Sequence, residues 1–265
     1  MNDLQLFDCD VMLGRIDGHF ATYQGGLNSF ETVEELETAL DKFGVKNALV
    51  YSSWAKFQNT ENGNDLLAKS IKSKKNLYPC FIISPEMEFD KSFPETFIRS
   101  LRDNNVSAVK VCPTSNYYEL EQYVMNDIFN ILNKIRMPVF IDHDTVKWQD
   151  PFNWSQVYAL CRKYPQIPFI PCRHGRKTAR NVFPIMKECD NLYLDISYFQ
   201  LNRAIEVVAD KFGAERMIFG TGMPVFDPRL PITGLVFSQL SDKEKALVAS
   251  GNIKHLIGRV DYSKV

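Results

Sequence analysis

Glu215-Arg216-Met217-Ile218-Phe219-Gly220-Thr221-Gly222-Met223-Pro224 is the stretch whose reading decides the fold. An apolar run passes straight from an arginine into a Gly-Thr-Gly turn closed by proline, the pattern of a short strand buried on both faces and ending in a tight loop. Upstream, the same cadence of apolar run, loop and amphipathic helix recurs at residues 4–14, 48–51, 77–83, 108–111, 139–143, 169–174 and 192–195. With 215–224 as the last of the series, the alternation predicts an α/β chain folded as a (β/α)8 TIM barrel, with its chemistry at the C-terminal ends of the strands. An open doubly wound sheet satisfies the same alternation. The strand count, and the polar residues ending at least five of these runs, favour the barrel.

Local signals support the helical halves of the units. Thr32 with Glu35 forms a capping box, Val33, Leu36, Leu40 and Phe43 keep helical spacing, and Gly44 fits the helix end. Ser241 with Glu244 repeats the box before the closing helix. The loop from Arg15 to Phe30 is long for a strand-to-helix connection, which makes Arg15 and His19 candidate ligand contacts at its rim. In the first strand, the two-residue period places Asp8, Asp10 and Met12 on one face. Lys110 shares a face with Ala108 and would point into the barrel with it.

Composition narrows the function. The chain has 265 residues, 45% hydrophobic and 24% charged, the size of one barrel, and no linker or low-complexity tract divides it, so a single domain over residues 1–265 is expected. Lys+Arg 31 against Asp+Glu 32, a net charge of -1, gives no electrostatic support for nucleic-acid or anionic-membrane partners. A small-molecule substrate is the expected partner, and a homodimer is compatible with everything above. The N-terminus has neither the charge nor the apolar core of a signal peptide, and a cytoplasmic location is expected. Cys9, Cys80, Cys112, Cys161, Cys172 and Cys189 are scattered without a Cys-x-x-Cys pair, which reads as reduced thiols in the core. No Gly-x-Gly-x-x-Gly, Walker-type phosphate loop, Gly-x-Ser-x-Gly or His-Glu-x-x-His motif is present, so nucleotide-dependent and serine-hydrolase chemistries have no support.

The order of the short motifs resembles the amidohydrolase superfamily, in particular its amidohydrolase-2, decarboxylase-like branch. Phe7-Asp8-Cys9-Asp10-Val11-Met12-Leu13-Gly14 is similar to the family's strand-one I-D-x-H-x-H-x-G, and Val109-Lys110-Val111 to its strand-four G-V-K. Met137-Pro138-Val139-Phe140-Ile141 resembles the strand-five L-P-V, and residues 169–175 the strand-six run ending in His. Asn191-Leu192-Tyr193-Leu194-Asp195-Ile196-Ser197 resembles the strand-seven segment, 215–224 the strand-eight R-hydrophobic-F-G-[ST]-D-x-P, and 251–258 the C-terminal G-N-x-x-x-L-x-G. The resemblance implies a metal-dependent hydrolase fold and one or two divalent metals held by the strand-one His pair, histidines of strands five and six, and the strand-eight Asp. Here the His pair falls on Asp10 and Met12 and the Asp on Gly222. Met is a poor ligand for hydrolytic cations and Gly offers none, so the implied metal site is degenerate.

Two registers of strands five and six stay open, because a one-residue slip exchanges the faces. In the first, Asp10, Asp142 and Arg173 converge, and the guanidinium takes the place of the metal as a fixed cation. In the second, Asp10, His143, His174 and Asp227 form a ligand set for one zinc or manganese ion. One divalent metal or none therefore stand as level alternatives. The plainer readings are a structural Asp142–Arg173 pair, core histidines, and Asp195 and Ser197 as loop caps. Trp54 and Phe226, with Tyr117 and Tyr118, are candidates for an aromatic pocket wall. The combined expectation is hydrolysis, with decarboxylation second, of a small polar carboxylate- or carbonyl-bearing metabolite. Asp10, Lys110, Asp142, His143, Arg173 and His174 would be its catalytic set, with Lys110 and Arg173 holding negative charge and His143 or His174 with Asp142 moving protons. The alternative is a barrel that binds a ligand or partner without turnover.

Overall fold

A computed structural model of the chain describes residues 4–16, 27, 29–121, 123–143, 152–173, 178–199 and 203–265. Eight β-strands alternate with helices: β1 (Leu6–Leu13), α1 (Val33–Lys42), β2 (Val45–Ser52), α2 (Ser53–Phe57), α3 (Thr60–Ile71), β3 (Leu77–Ile83), α4 (Glu95–Asp103), β4 (Ala108–Val111), α5 (Asn126–Ile135) and β5 (Val139–Ile141). After these come α6 (Trp154–Lys163), β6 (Phe169–Pro171), α7 (Ala179–Glu188), β7 (Leu194–Asp195), α8 (Ala204–Phe212), β8 (Met217–Ile218), α9 (Arg229–Val236), α10 (Asp242–Ala246) and α11 (Asn252–Ile257). β1 to β6 pair in sequence order, all parallel, and β7 pairs with β8. The Phe169–Leu192 bridge joins β6 to the approach of β7, while Cys9 N donates to Phe219 O at 3.0 Å and Met12 N to Met223 O at 2.9 Å. These contacts close the ring, giving the (β/α)8 TIM barrel.

Two apolar layers follow from the strand alternation. Phe7, Cys9, Leu49, Tyr51, Cys80, Ile82, Ala108, Phe140, Ile170, Cys172 and Ile218 fill the barrel interior. Val11, Val50, Phe81, Val109, Val139 and Phe169 face outward against the helices. The expected caps form as the sequence implies: Glu35 N donates to Thr32 Oγ1 at 3.2 Å, Glu244 N to Ser241 Oγ at 3.3 Å, and Gly44 takes φ +71° at the end of α1. All six cysteines are buried and unbonded to one another.

Some expected boundaries move. β5 and β6 stop at Ile141 and Pro171, short of the apolar runs 139–143 and 169–174, leaving Asp142 and Arg173 just beyond the strands. Pro171 has no N–H with which to continue a ladder. The strict two-residue period also fails in β1. Asp8 pairs with Ala48 and Val11 with Val50, so Cys9 and Asp10 together oppose Leu49 in a β-bulge. The bulge sends both Cys9 and Asp10 inward and separates Asp8 from the face it was expected to share with Asp10.

β7 and β8 are short, and side chains bind the segments around them. Asn191 Nδ2 donates to the carbonyls of Cys161, Tyr164 and Ile167 at 3.0–3.2 Å. Arg216 donates to Leu192 O and Cys189 O, both at 2.7 Å, serving carbonyls at the end of α7. Asn252 Nδ2 donates to Ala214 O at 2.9 Å and Met217 O at 2.7 Å, tying α11 to β8. Three of the sequence motifs are thus structural pins. Asn252→Ala removes the donor to two carbonyls flanking β8, and a loss of about 1–3 kcal/mol in unfolding free energy is expected in urea titrations.

Candidate functional site

Asp10 on the β1 bulge, Lys110 on β4, and Asp142 and Arg173 just past β5 and β6 meet inside the barrel at the C-terminal ends of the strands. Lys110 Nζ binds Asp10 Oδ1, while Arg173 forks, Nη1 on Asp10 Oδ2 and Nη2 on Asp142 Oδ1. Lys56 Nζ reaches Asp142 Oδ2 at 2.9 Å, and Lys110 lies 3.9 Å from the same oxygen. Each of these five residues is under 5% exposed. Lys110 Nζ also sits 3.7 Å from the centroid of the Tyr51 ring, a cation–π contact.

The mutual field sets the charges. Burial pulls the Lys110 ammonium and the Arg173 guanidinium down, but Asp10 and Asp142 outweigh it and raise both pKa values well above normal. Burial pushes Asp142 up, and Arg173, Lys56 and Lys110 overcome it, leaving Asp142 well below the usual carboxylate range. Both shifts favour the charged forms, the Asp142 carboxylate and the Lys110 ammonium.

Two other buried acids behave oppositely. Burial raises Asp8 to about 7 and Asp195 to about 6. Asp8 Oδ1 accepts from Thr221 N at 2.9 Å and Asp10 N at 3.1 Å. Asp195 accepts from Ser197 N at 2.9 Å, from the Ser197 hydroxyl, and from Arg173 N at 3.1 Å. The last bond supports Arg173 at φ +50°, a left-handed backbone that non-glycine residues seldom adopt. By the strand alternation Cys172 is the inward residue, and the left-handed turn is what lets Arg173 also reach the centre.

The first register therefore holds for strand five: Asp142 enters the cluster, whereas His143 Nδ1 lies 3.1 Å from Thr114 Oγ1 with its ring edge-on to Phe152 at 4.7 Å. Asp227, the expected fourth metal ligand, is instead held in a fork by Arg229 on α9. His19 and His174 lie outside the described residues. Arg15 is exposed, and Trp54 and Tyr117 point outward at 53% and 95% exposure. Phe226 does line the site, 5.9 Å from the Arg173 guanidinium and 5.1 Å from the Tyr198 ring.

Lys56 escaped the sequence reading because α2 looked like a polar loop. Its placement depends on Gly63 in α3, where a Cβ would stand 2.1 Å from Ala55 N. A glycine inside a helical pattern was the available sign of that close approach. Cys172 read only as a core thiol.

The chain matches the amidohydrolase (amidohydrolase-2) family model over residues 26–259 and belongs to that family. No curated protein matches it significantly. A TIM-barrel protein from Bordetella bronchiseptica superposes with a TM-score of 0.76 at 13% identity, covering 97% of this chain and 99% of that one. 5-Carboxyvanillate decarboxylase from Sphingomonas paucimobilis gives 0.69 at 11% identity, with 97% and 100% covered. A dihydroxybenzoic acid decarboxylase from a Polaromonas species, with bound manganese and 2-nitroresorcinol, gives 0.69 at 11%, with 98% and 99% covered. At these identities the likeness is one of fold.

That manganese makes the donor set here worth testing. Ligand atoms of Asp10, Cys172 and Asp195 lie within 4.8 Å of one another. Yet both Asp10 oxygens are held by Lys110 and Arg173, Asp195 is engaged by Ser197 and Arg173 N, and the Cys172 thiol is pushed well up, chiefly by burial. A divalent ion would need a thiolate and free carboxylate oxygens. As arranged, these residues do not fit one.

The elevated acids have a consequence for stability. The folded chain holds the Asp8 proton up to about pH 7, whereas an unfolded aspartate releases it near pH 3.8. The folded state thus binds more protons between these limits, so Asp8's contribution is full below pH 4 and fades as pH rises through 7. Asp8→Asn should flatten this part of the profile, by about 2–3 kcal/mol between urea unfolding at pH 5 and at pH 8.

Proposed function

We propose that this member of the amidohydrolase family is a hydrolase acting on a small, polar, carboxylate- or carbonyl-bearing metabolite, bound beside Arg173 and Phe226. The buried constellation Asp10–Lys110–Arg173–Asp142–Lys56 carries this reading. Taking five charged groups out of water is costly, and such clusters concentrate at sites that use their field. Lys110 and Arg173 provide fixed positive potential for a substrate carboxylate or for the oxyanion that develops on a carbonyl. Phe226 and Tyr198 give that charge an apolar flank. Asp142 orients Arg173 and Lys56. Asp195, raised to about 6 by burial, is with Asp8 one of two buried acids shifted toward the neutral range, and it bears on the reaction by holding Arg173 through its backbone. The same positive field would also orient a carboxylate for loss of carbon dioxide, the reaction class named for two of the similar structures.

A second reading has its own observation. Both oxygens of Asp10 are satisfied within the protein, so the network is also competent as a structural hub in a barrel that binds a ligand without converting it.

Turnover of a panel of aryl and alkyl carboxylates, lactones and amides, with product analysis and carbon dioxide detection, separates these readings. Hydrolytic products are expected, with kcat/KM reduced on the order of a thousandfold in Lys110→Met and Arg173→Met, the scale of removing an oxyanion donor. Carbon dioxide release without hydrolysis would replace hydrolysis by decarboxylation. Ligand binding with no turnover across the panel would establish the binder.

A further inference from the structure

The donor set disagrees with the family's metal dependence, and the disagreement has a built cause. A Cβ on Gly222, the position of the strand-eight aspartate in the resemblance above, would meet Arg173 Cδ at 3.3 Å and Phe226 Cδ2 at 2.9 Å, at a backbone φ of +70°. The stem of Arg173 thus occupies the space in which an acid at residue 222 would begin. Its guanidinium bridges Asp10 and Asp142, the residues at the strand-one and strand-five ligand positions. Lys110 takes the remaining oxygen of Asp10. Each interaction that a divalent ion would make with these carboxylates is already made by a nitrogen cation.

We propose that Arg173, with Lys110, is a built-in replacement for a divalent cation, and that it masks a latent metal site comprising Asp10, Asp142, Cys172 and Asp195. A side chain at residue 222 would crowd both Arg173 and Phe226, so the glycine keeps open the space the arginine stem uses and the two act as a matched pair. Asp195 is a positioning residue in this arrangement, because its carboxylate holds the left-handed Arg173 backbone that aims the side chain inward. Withdrawing the guanidinium leaves two carboxylates facing each other. It also removes the positive charge that repels an incoming ion from Asp10, whose ligand atom lies within 4.8 Å of those of Cys172 and Asp195. Carboxylates with one thiolate suit zinc, and cobalt reports it through a thiolate charge-transfer band.

The inference concerns the site of the proposed function without depending on which reaction occurs there, and its test reads metal affinity rather than turnover. Full-length wild-type protein, purified without chelator, should carry substoichiometric metal and show no thermal shift with zinc, manganese or cobalt. Arg173→Gln and Arg173→Met should bind one cobalt ion per chain with the charge-transfer band, tighter than wild type by on the order of a thousandfold once a unit charge beside a divalent ion is gone. Adding Cys172→Ser should abolish the band, and Arg173→Lys, which keeps the charge, should stay metal-free. One equivalent of metal in wild type, lost in Asp10→Asn, would overturn the proposal. So would folded Arg173→Gln protein with no gain in affinity. If Arg173→Met does not fold, the neutral, polar Gln variant gives the decision.

Discussion

The bridge thrown by one guanidinium between Asp10 and Asp142 is the interaction on which the centre of the molecule depends. These two carboxylates come from different strands, Asp10 from the bulge within β1 and Asp142 from just past β5, 132 residues apart in the chain, and without a cation between them they would face each other in a desolvated barrel. Lys110 and Lys56 close the outer edges of the same unit. Charge here is set by neighbours: Asp142, within the fork, is held well below the usual carboxylate range by Arg173, Lys56 and Lys110, while Asp8 and Asp195, outside it, are pushed up by burial.

The surrounding barrel serves this geometry with economical means. The long β1 and β2 give a rigid base, and the short β7 and β8 are secured by Asn191, Arg216 and Asn252 reaching into backbone carbonyls. Those residues carry much of the family resemblance in the sequence, yet their work is architectural. The family is recognisable in this chain through its scaffold.

The barrel was legible because strand-forming runs and caps are local, and local signals survive in a single sequence. Asp10, Lys110, Asp142 and Arg173 were legible because polar residues ending apolar strands stand out against their surroundings. Three features were hidden for different reasons. The β1 bulge inserts a residue without leaving a mark in the alternation, so Asp8 read as Asp10's neighbour on the face. Arg173 turns inward against its strand period through a backbone conformation that no side-chain pattern encodes. Lys56 enters from a short helix whose approach is licensed by a glycine in a different element. Register, backbone handedness and interhelical distance are tertiary quantities, and the histidines of strands five and six were ambiguous for that reason.

The bulge at Cys9–Asp10 gives the site an unusual dependency. Because two residues of β1 share one partner on β2, the direction of the Asp10 carboxylate is determined by how many residues the strand contains between its paired segments. A side chain there can be exchanged with the aim of the backbone preserved, whereas adding or removing a single peptide unit would rotate the acid out of the barrel and leave Lys110 and Arg173 facing an apolar wall. The centre is in this sense tuned by counting: chain length across a few residues of one strand governs where the charge lands.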